Sequence, residues 1–215
     1  MSETQTVDPA VTRAKFDREV RCFRDMEASY RRRGILLQDV TFPTVTIAFC
    51  AAKMKPAPLL GAVRIDFTDY DLRPPSVRFV DPLTHQEVMA KDCGLMLFRL
   101  PKMPGMPREM LLSLAAQGMC RLQPISLVLT NTPEDKPFLC LPGVREYHDN
   151  PAHTGDSWLL HRTSGEGSFA FLVENIWKYG PNAMESYLIQ TANEEAGLLV
   201  QIQAQQIKIA PSMAA

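Results

Sequence analysis

The chain has 215 residues, 46% of them hydrophobic and 22% charged, with a net charge of -1. That length and composition describe a globular protein able to bury a sizeable core without crosslinks, built as one domain with extensions or at most two small domains. Near-neutrality gives a nucleic-acid partner no global electrostatic support, no stretch is apolar enough over a sufficient length to predict a membrane span, and the polar start Met1-Ser-Glu-Thr-Gln-Thr6 does not read as a secretory leader.

The first nine residues read as a disordered tail, closed by Asp8-Pro9, which is a helix-start pair with Asp as cap and Pro at the first helical position. An amphipathic helix is predicted over Ala10–Arg33. Phe16, Val20, Phe23 and either Ala28 or Tyr30 recur at helical spacing, and Gly34 supplies the stop. Its other faces are basic, with Arg13, Lys15, Arg18, Arg21 and Arg24 leading to Arg31-Arg32-Arg33. Most such faces are solvated surface.

Three strands are predicted next: Val40–Ala51 with Pro43 at its edge, Leu60–Phe67, and Ser76–Val80. The links Lys53–Pro58 and Asp69–Pro75 make an antiparallel meander of them. Residues 81–137 carry a strand at Gly94–Leu100, a loop at Lys102–Arg108, a short helix within Pro107–Gln117 and a strand at Ile125–Thr130. Beyond the loop Cys140–Trp158, a helix spans Ser168–Tyr179 and is stopped by Gly180-Pro181; a last helix is predicted from Asn182 to about Val200. The expectation is one α+β domain over 10–205, with a flexible tail at 206–215.

Five cysteines, Cys22, Cys50, Cys93, Cys120 and Cys140, are odd in number and widely spaced. This pattern predicts free thiols in a reducing, cytoplasmic compartment, mostly buried and inert. Cys22 and Cys50 are expected in the core. Cys140 differs, because Glu146, His148, His153 and Asp156 lie downstream of it within a segment too rich in Pro and Gly for a regular helix or strand, and His161 is close behind. Two chemistries compete there. A nucleophilic thiol needs exposure and a route for its proton, which a histidine oriented by an acid provides. A zinc ion takes Cys, His and carboxylate ligands, and a closed Cys140-Glu146-His148-His153 site would tie up the thiolate. Loop scaffolding is the plain alternative for Asp149-Asn150-Pro151 and for His161-Arg162.

Residues 61–79 resemble a known pattern. Gly61-x-Val63-x-Ile65-x-Phe67, Tyr70 and Pro74-Pro75-x-Val77-x-Phe79 are similar to the strand, Tyr-Pro-x-x-Pro-Pro turn and second strand of ubiquitin-conjugating enzymes. Phe138-Leu-Cys140-Leu141 resembles the surroundings of that family's active cysteine, and Trp158 with the helix from Ser168 resembles the tryptophan and helix downstream of that cysteine. The chain departs from the pattern in three ways. Asp71 stands where the turn has proline, about sixty residues separate Phe79 from Cys140, and the His-Pro-Asn tripeptide is missing. Asn131 sits close to the position of the missing asparagine.

Cys140, Glu146, His148 and His153 also resemble the Cys-Glu-His-His pattern of a bacterial family with a predicted metal-binding domain, found beside ubiquitin-like proteins, activating enzymes and deubiquitinating peptidases. Such proteins look like the conjugating enzymes of Bil-type antiphage operons. The resemblance implies a ubiquitin-conjugating-like fold with 81–137 as an insertion, and a thioester formed on Cys140. Asn131, His148 and Glu146 would assist. No cofactor is required, although zinc on His148 and His153 stays open. The implied partners are a ubiquitin-like protein, an activating enzyme docked on helix 10–33 through Arg31, Arg32 and Arg33, and a target protein, with no nucleic acid and no membrane. The rival reading is a non-catalytic zinc-binding adaptor of the same system.

Overall fold

A computed structural model describes residues 6–100, 105–119, 123–194 and 197–207. Helix α1 (Pro9–Asp25) starts as the sequence predicts, with the Asp8 carboxylate accepting from the Ala10 amide at 2.7 Å. Residues just before it are tied down, since the Thr6 and Val7 amides both donate to Asp69 Oδ1 at 2.7 Å.

The helix expected to reach Arg33 is broken at Met26, and a separate helix α2 (Glu27–Arg32) takes over. Aromatic packing accounts for the break. Residues seven apart on a continuous helix are separated by about 10 Å along its axis, whereas the Phe23 and Tyr30 rings stack at 4.6 Å. Gly34 ends α2 with φ +82°, as expected.

Four strands then form the antiparallel meander: β1 (Ile35–Thr41), β2 (Thr44–Cys50), β3 (Leu59–Asp66) and β4 (Ser76–Val80). The single strand expected over Val40–Ala51 is instead a hairpin, with Thr41 paired to Thr44 and Phe42-Pro43 in the turn. Pro43 has no amide to give a ladder, so it marks the turn rather than a strand edge. Strand β1 is thus an element that the sequence pattern does not predict.

The region 81–137 holds β5 (Phe98–Arg99), α3 (Arg108–Ala116), β6 (Ile125–Ser126) and β7 (Val128–Leu129), and leads to β8 (Phe138–Leu139). Sheet order is β1-β2-β3-β4-β8-β7, with β5 and β6 paired to each other. The strands expected at Gly94–Leu100 and Ile125–Thr130 shrink to two-residue pieces. Ser126 Oγ bonds the Val128 backbone on both its amide and its carbonyl, which interrupts the ladder locally. Leu127 bridges the gap, donating to Leu97 O at 2.9 Å and accepting from the Cys140 amide at 2.8 Å. The insertion thus packs directly against the segment carrying Cys140.

Short helices α4 (Arg145–His148) and α5 (Trp158–His161) come next, then α6 (Phe169–Tyr179), capped by Ser168. The helix expected over Asn182–Val200 is a hairpin of β9 (Met184–Glu194) and β10 (Gly197–Ile207), which pair with each other in a two-stranded sheet. The fold is α+β.

Strand alternation puts Val45, Ile47, Phe49, Val63, Ile65, Val77 and Phe79 against α1 and α6. Phe169 of α6 stacks on Phe23 at 4.8 Å and meets Phe67 edge-on at 6.1 Å. Glu19 of α1, 8% exposed, accepts from the Phe169 amide at 3.0 Å and so places a carboxylate at the start of α6. Arg33 clamps Glu174 with both guanidinium nitrogens and lies 3.8 Å over the Trp177 ring, locking α2 to α6.

Two cysteine expectations are corrected: Cys22 is exposed on α1, and Cys50 is only half-buried. Cys120 lies outside the described residues. No helix among the described residues is long and apolar enough to cross a membrane.

Candidate functional site

Cys140 leaves the sheet directly after β8, with its sulfur facing the loop beyond it. The residue is 7% exposed, against the sequence expectation of an open thiol. Burial pushes the thiol pKa up, and the nearby Arg99 guanidinium on β5 pulls it part of the way back. One side chain answers the proton problem: His153 Nε2 lies 3.4 Å from Cys140 Sγ. His153 sits in the short turn Pro151–His153, opened by Pro151 and by Asn150, whose side chain accepts from the Ala152 amide. Its ring is stacked on Tyr147, with centroids 3.9 Å apart and planes 26° apart.

Helix α4 supplies the other groups. Arg145, 8% exposed, donates to Pro74 O at 3.2 Å and to Thr68 O at 2.5 Å, while its amide donates to Pro75 O. The Pro74-Pro75 turn is thereby fixed to the helix beneath the site. Tyr147 donates its hydroxyl to Asp156 Oδ2 at 2.6 Å; burial and this carboxylate both push the phenol pKa up.

His148 accepts from the Gly143 amide at Nε2, 3.1 Å, so its proton is on Nδ1, which donates to Asp156 O at 2.9 Å. Burial lowers the His148 pKa and keeps that tautomer neutral. His148 therefore shapes the loop and has no free nitrogen for a base.

Glu146 points elsewhere. It accepts from Ser76 Oγ and from the Val77 amide at 3.1 Å, and pairs with Arg78 at 3.2 Å. Helix geometry accounts for this: residues two apart on one turn sit about 200° around the axis, so Glu146 and His148 cannot converge. Asn131 lines an open basin of about 950 Å³ with Glu146, Arg64, Arg78 and Asp149, away from the core that packs on α1 and α6.

The structure thus brings Cys140 and His153 together, with His148 in the loop framework and Glu146 and Asn131 in that basin. The four expected zinc ligands do not converge, and among the described residues no group of three or more His, Cys, Asp or Glu side chains is arranged to hold a metal ion. A closed site of those four residues is therefore not formed, since Glu146 is held at Val77 and Arg78, away from Cys140 and His153.

The basic helix face is partly occupied. Arg33 is engaged by Glu174, while Arg31, which pairs with Glu27 at 3.2 Å, and Arg32 are both exposed. Asp71, in the place of the turn proline, gathers α1 and the site: Lys15 reaches it at 2.7 Å and Arg162 at 2.9 Å, while Trp158 Nε1 donates to its carbonyl at 2.9 Å.

Sequence pattern does not single out Tyr147, Arg99 or Glu166. Tyr147 lies between two residues of ligand type, Arg99 is far from Cys140 in sequence, and Glu166 meets its partner only through the turn after α5.

His161 bonds Asp156 at 2.5 Å and also Glu166. Burial opposes its charge, but the two carboxylates outweigh that and raise its pKa above the free value of 6.5. Its stabilising contribution is complete below that value and is lost as pH rises through the raised one. His148, lowered from the same 6.5, costs stability as pH falls towards its own folded value. Thermal unfolding followed over about pH 5 to 9 should therefore show greatest stability near pH 6.5, and His161→Gln should remove the fall on the alkaline side.

The Y4jH-like model, described as the Y4jH family, matches residues 7–184, ending where the C-terminal hairpin begins. The chain is also 50% identical over 204 residues, 95% of its own length and 98% of the relative's, to "Uncharacterized protein y4jH" of Sinorhizobium fredii (strain NBRC 101917 / NGR234). With nearly its whole length matched by that relative, the chain belongs to the Y4jH family.

Proposed function

We propose that this chain is a conjugating-type carrier of a ubiquitin-like protein, acting in the cytoplasm within a Bil-type antiphage system. The observation that carries the reading is the Cys140–His153 contact at the exit of β8, at 3.4 Å. The order helix, four-stranded meander, cysteine, helix supports it. So do the buried Tyr70 and Phe79, which stand in the core at the positions where the motif resemblance has them.

In the proposed step, His153 takes the Cys140 proton. The thiolate attacks the carbonyl carbon of a thioester held by the activating enzyme, the bond from that carbon to the activating enzyme's sulfur breaks, and the departing thiolate receives the proton. A nucleophile on the target protein then takes the acyl group from Cys140 in the same manner. The Arg99 guanidinium lies within electrostatic reach of the sulfur and favours the negative charge that develops there. The exposed Arg32, with α1, is the proposed contact for the activating enzyme.

With the ubiquitin-like protein, the activating enzyme and ATP, the chain should form an adduct on non-reducing gels that disappears with reductant. Cys140→Ser should give a reductant-stable oxyester, and Cys140→Ala no adduct. Absence of any adduct with the native chain, or its persistence in Cys140→Ala, would sink the proposal. The latter result would leave a conjugating-fold interaction module without an active cysteine.

A further inference from the structure

Among the described residues, no acid bonds His153 directly to hold its contact with Cys140. The Tyr147 ring lies against the His153 ring at 3.9 Å, and the Tyr147 hydroxyl donates to Asp156 Oδ2 at 2.6 Å. The other oxygen of that carboxylate meets His161 Nε2 at 2.5 Å, and His161 Nδ1 meets Glu166. The Asp156 backbone carbonyl accepts from His148, which in turn accepts from the amide of Gly143, three residues after Cys140. Both nitrogens of His161 are occupied by carboxylates, and its side chain is 16% exposed. A surface histidine that merely ended a loop would not need two acids closing on it from Asp156, before α5, and Glu166, after it.

We propose that His161, clamped between Asp156 and Glu166, is the positioning residue of the thiol site, acting through Asp156 and the Tyr147 ring to hold His153 against Cys140. This rests on the reading of Cys140 as the reacting thiol. Asp156 is the branch point, since its side chain serves Tyr147 and His161 while its carbonyl serves His148. Tyr147 has a double role, its ring positioning His153 and its hydroxyl fixing the ring. Glu166 completes the clamp, and Gly167 beside it packs on Gly143, so the far end of the chain of contacts returns to the backbone that carries the sulfur.

The test reads the thiol itself and needs no conjugation partner. Iodoacetamide alkylation of the full chain is followed peptide by peptide by mass spectrometry as a function of pH, with exposed Cys22 as internal control. His161→Gln, Asp156→Asn and Tyr147→Phe should each slow alkylation of Cys140 near neutral pH by about tenfold, the scale on which loss of a partner that orients a functional histidine is felt. They should move its pH profile towards that of His153→Ala and leave Cys22 unchanged.

Because the residues act in one chain, the doubles His161→Gln/Tyr147→Phe and His161→Gln/His153→Ala should be no slower than the slower single variant. Unchanged Cys140 rates in all three single variants would overturn the proposal, as would fully additive doubles, or equal changes at Cys22 that signal general loosening. If these shifts occur and no thioester forms with the activating enzyme, the positioning role stands and the carrier reading falls. If thioester forms and the rates do not move, the reverse holds.

Discussion

Replacing His153 by alanine should slow acyl transfer onto Cys140 by on the order of 10²-fold, the lower end of what a positioned proton acceptor contributes. Burial raises the thiol pKa above its ordinary value, so near neutral pH nearly all of the sulfur is protonated and a poor nucleophile. His153 Nε2 is within reach of that proton, and both nitrogens of His148 are already engaged by Gly143 and Asp156. The substitution costs little fold stability by comparison, because the stacked pair with Tyr147 contributes about 1 kcal/mol beyond area burial. Single-turnover quenching of the thioester would measure the loss, and raising the pH should recover part of it as solvent base replaces the imidazole. A rate within twofold of the native chain would remove His153 from the chemistry.

The second large effect is expected at Gly143. It has φ +87°, and a Cβ there would stand 2.3 Å from the Gly167 amide nitrogen. Gly167 is itself tightly placed, at φ +77° with Gly143 O and the Trp158 ring each 2.8 Å from where a Cβ on it would stand. Gly143→Ala should destabilise the chain by roughly 3–4 kcal/mol, of which 1–2 is the left-handed backbone and the rest overpacking. For a chain of this size that is a fall of about 10 °C in Tm. Gly155 is the control, with φ +101° and nothing within 4 Å of an added Cβ, so Gly155→Ala should show the backbone part alone. The difference between the two variants measures the crossing of the two loops. Equal Tm losses would mean that the contact with Gly167 costs nothing.

Much of the scaffold was legible because local chemistry and global packing agree. Asp8-Pro9, Ser76–Val80 and Ser168 with Gly180-Pro181 each combine a pattern with a start or stop signal, and each of those boundaries fell within a residue of its expected place. The errors lie where a tertiary contact or a turn overrode the pattern. Tyr30 folds back onto Phe23 and breaks a helix that periodicity alone would continue, and Pro43 punctuates a β-branched run that looked continuous. In the C-terminal segment, Val200, Ile202 and Ala204 alternate with glutamines at period two, but leucine, alanine and glutamine favour a helix and obscured it.

At the site, the cysteine was legible from its loop, but the pattern singled out His148 as the assisting histidine and His153 as a zinc ligand, whereas it is His153 that meets the sulfur. Spacing could not show that a single turn of α4 sends Glu146 to one side of the sheet and His148 to the other. Nor could it show that Tyr147, between them, is the residue on which His153 rests. Long-range contributors such as Arg99 and Asp71 carry no local signal at all, because they reach the site through the sheet and through the turn before β4.

The burial of Cys140 has a consequence for oxidation. Peroxides convert reachable thiolates to sulfenic and higher acids, and the later steps are irreversible. At rest the Cys140 sulfur is covered by the loop that carries His153 and is held protonated, while Cys22 stands open on α1. A carrier arranged this way meets small oxidants with a protonated and largely covered sulfur, so Cys140 should be oxidised more slowly than Cys22 between transfers.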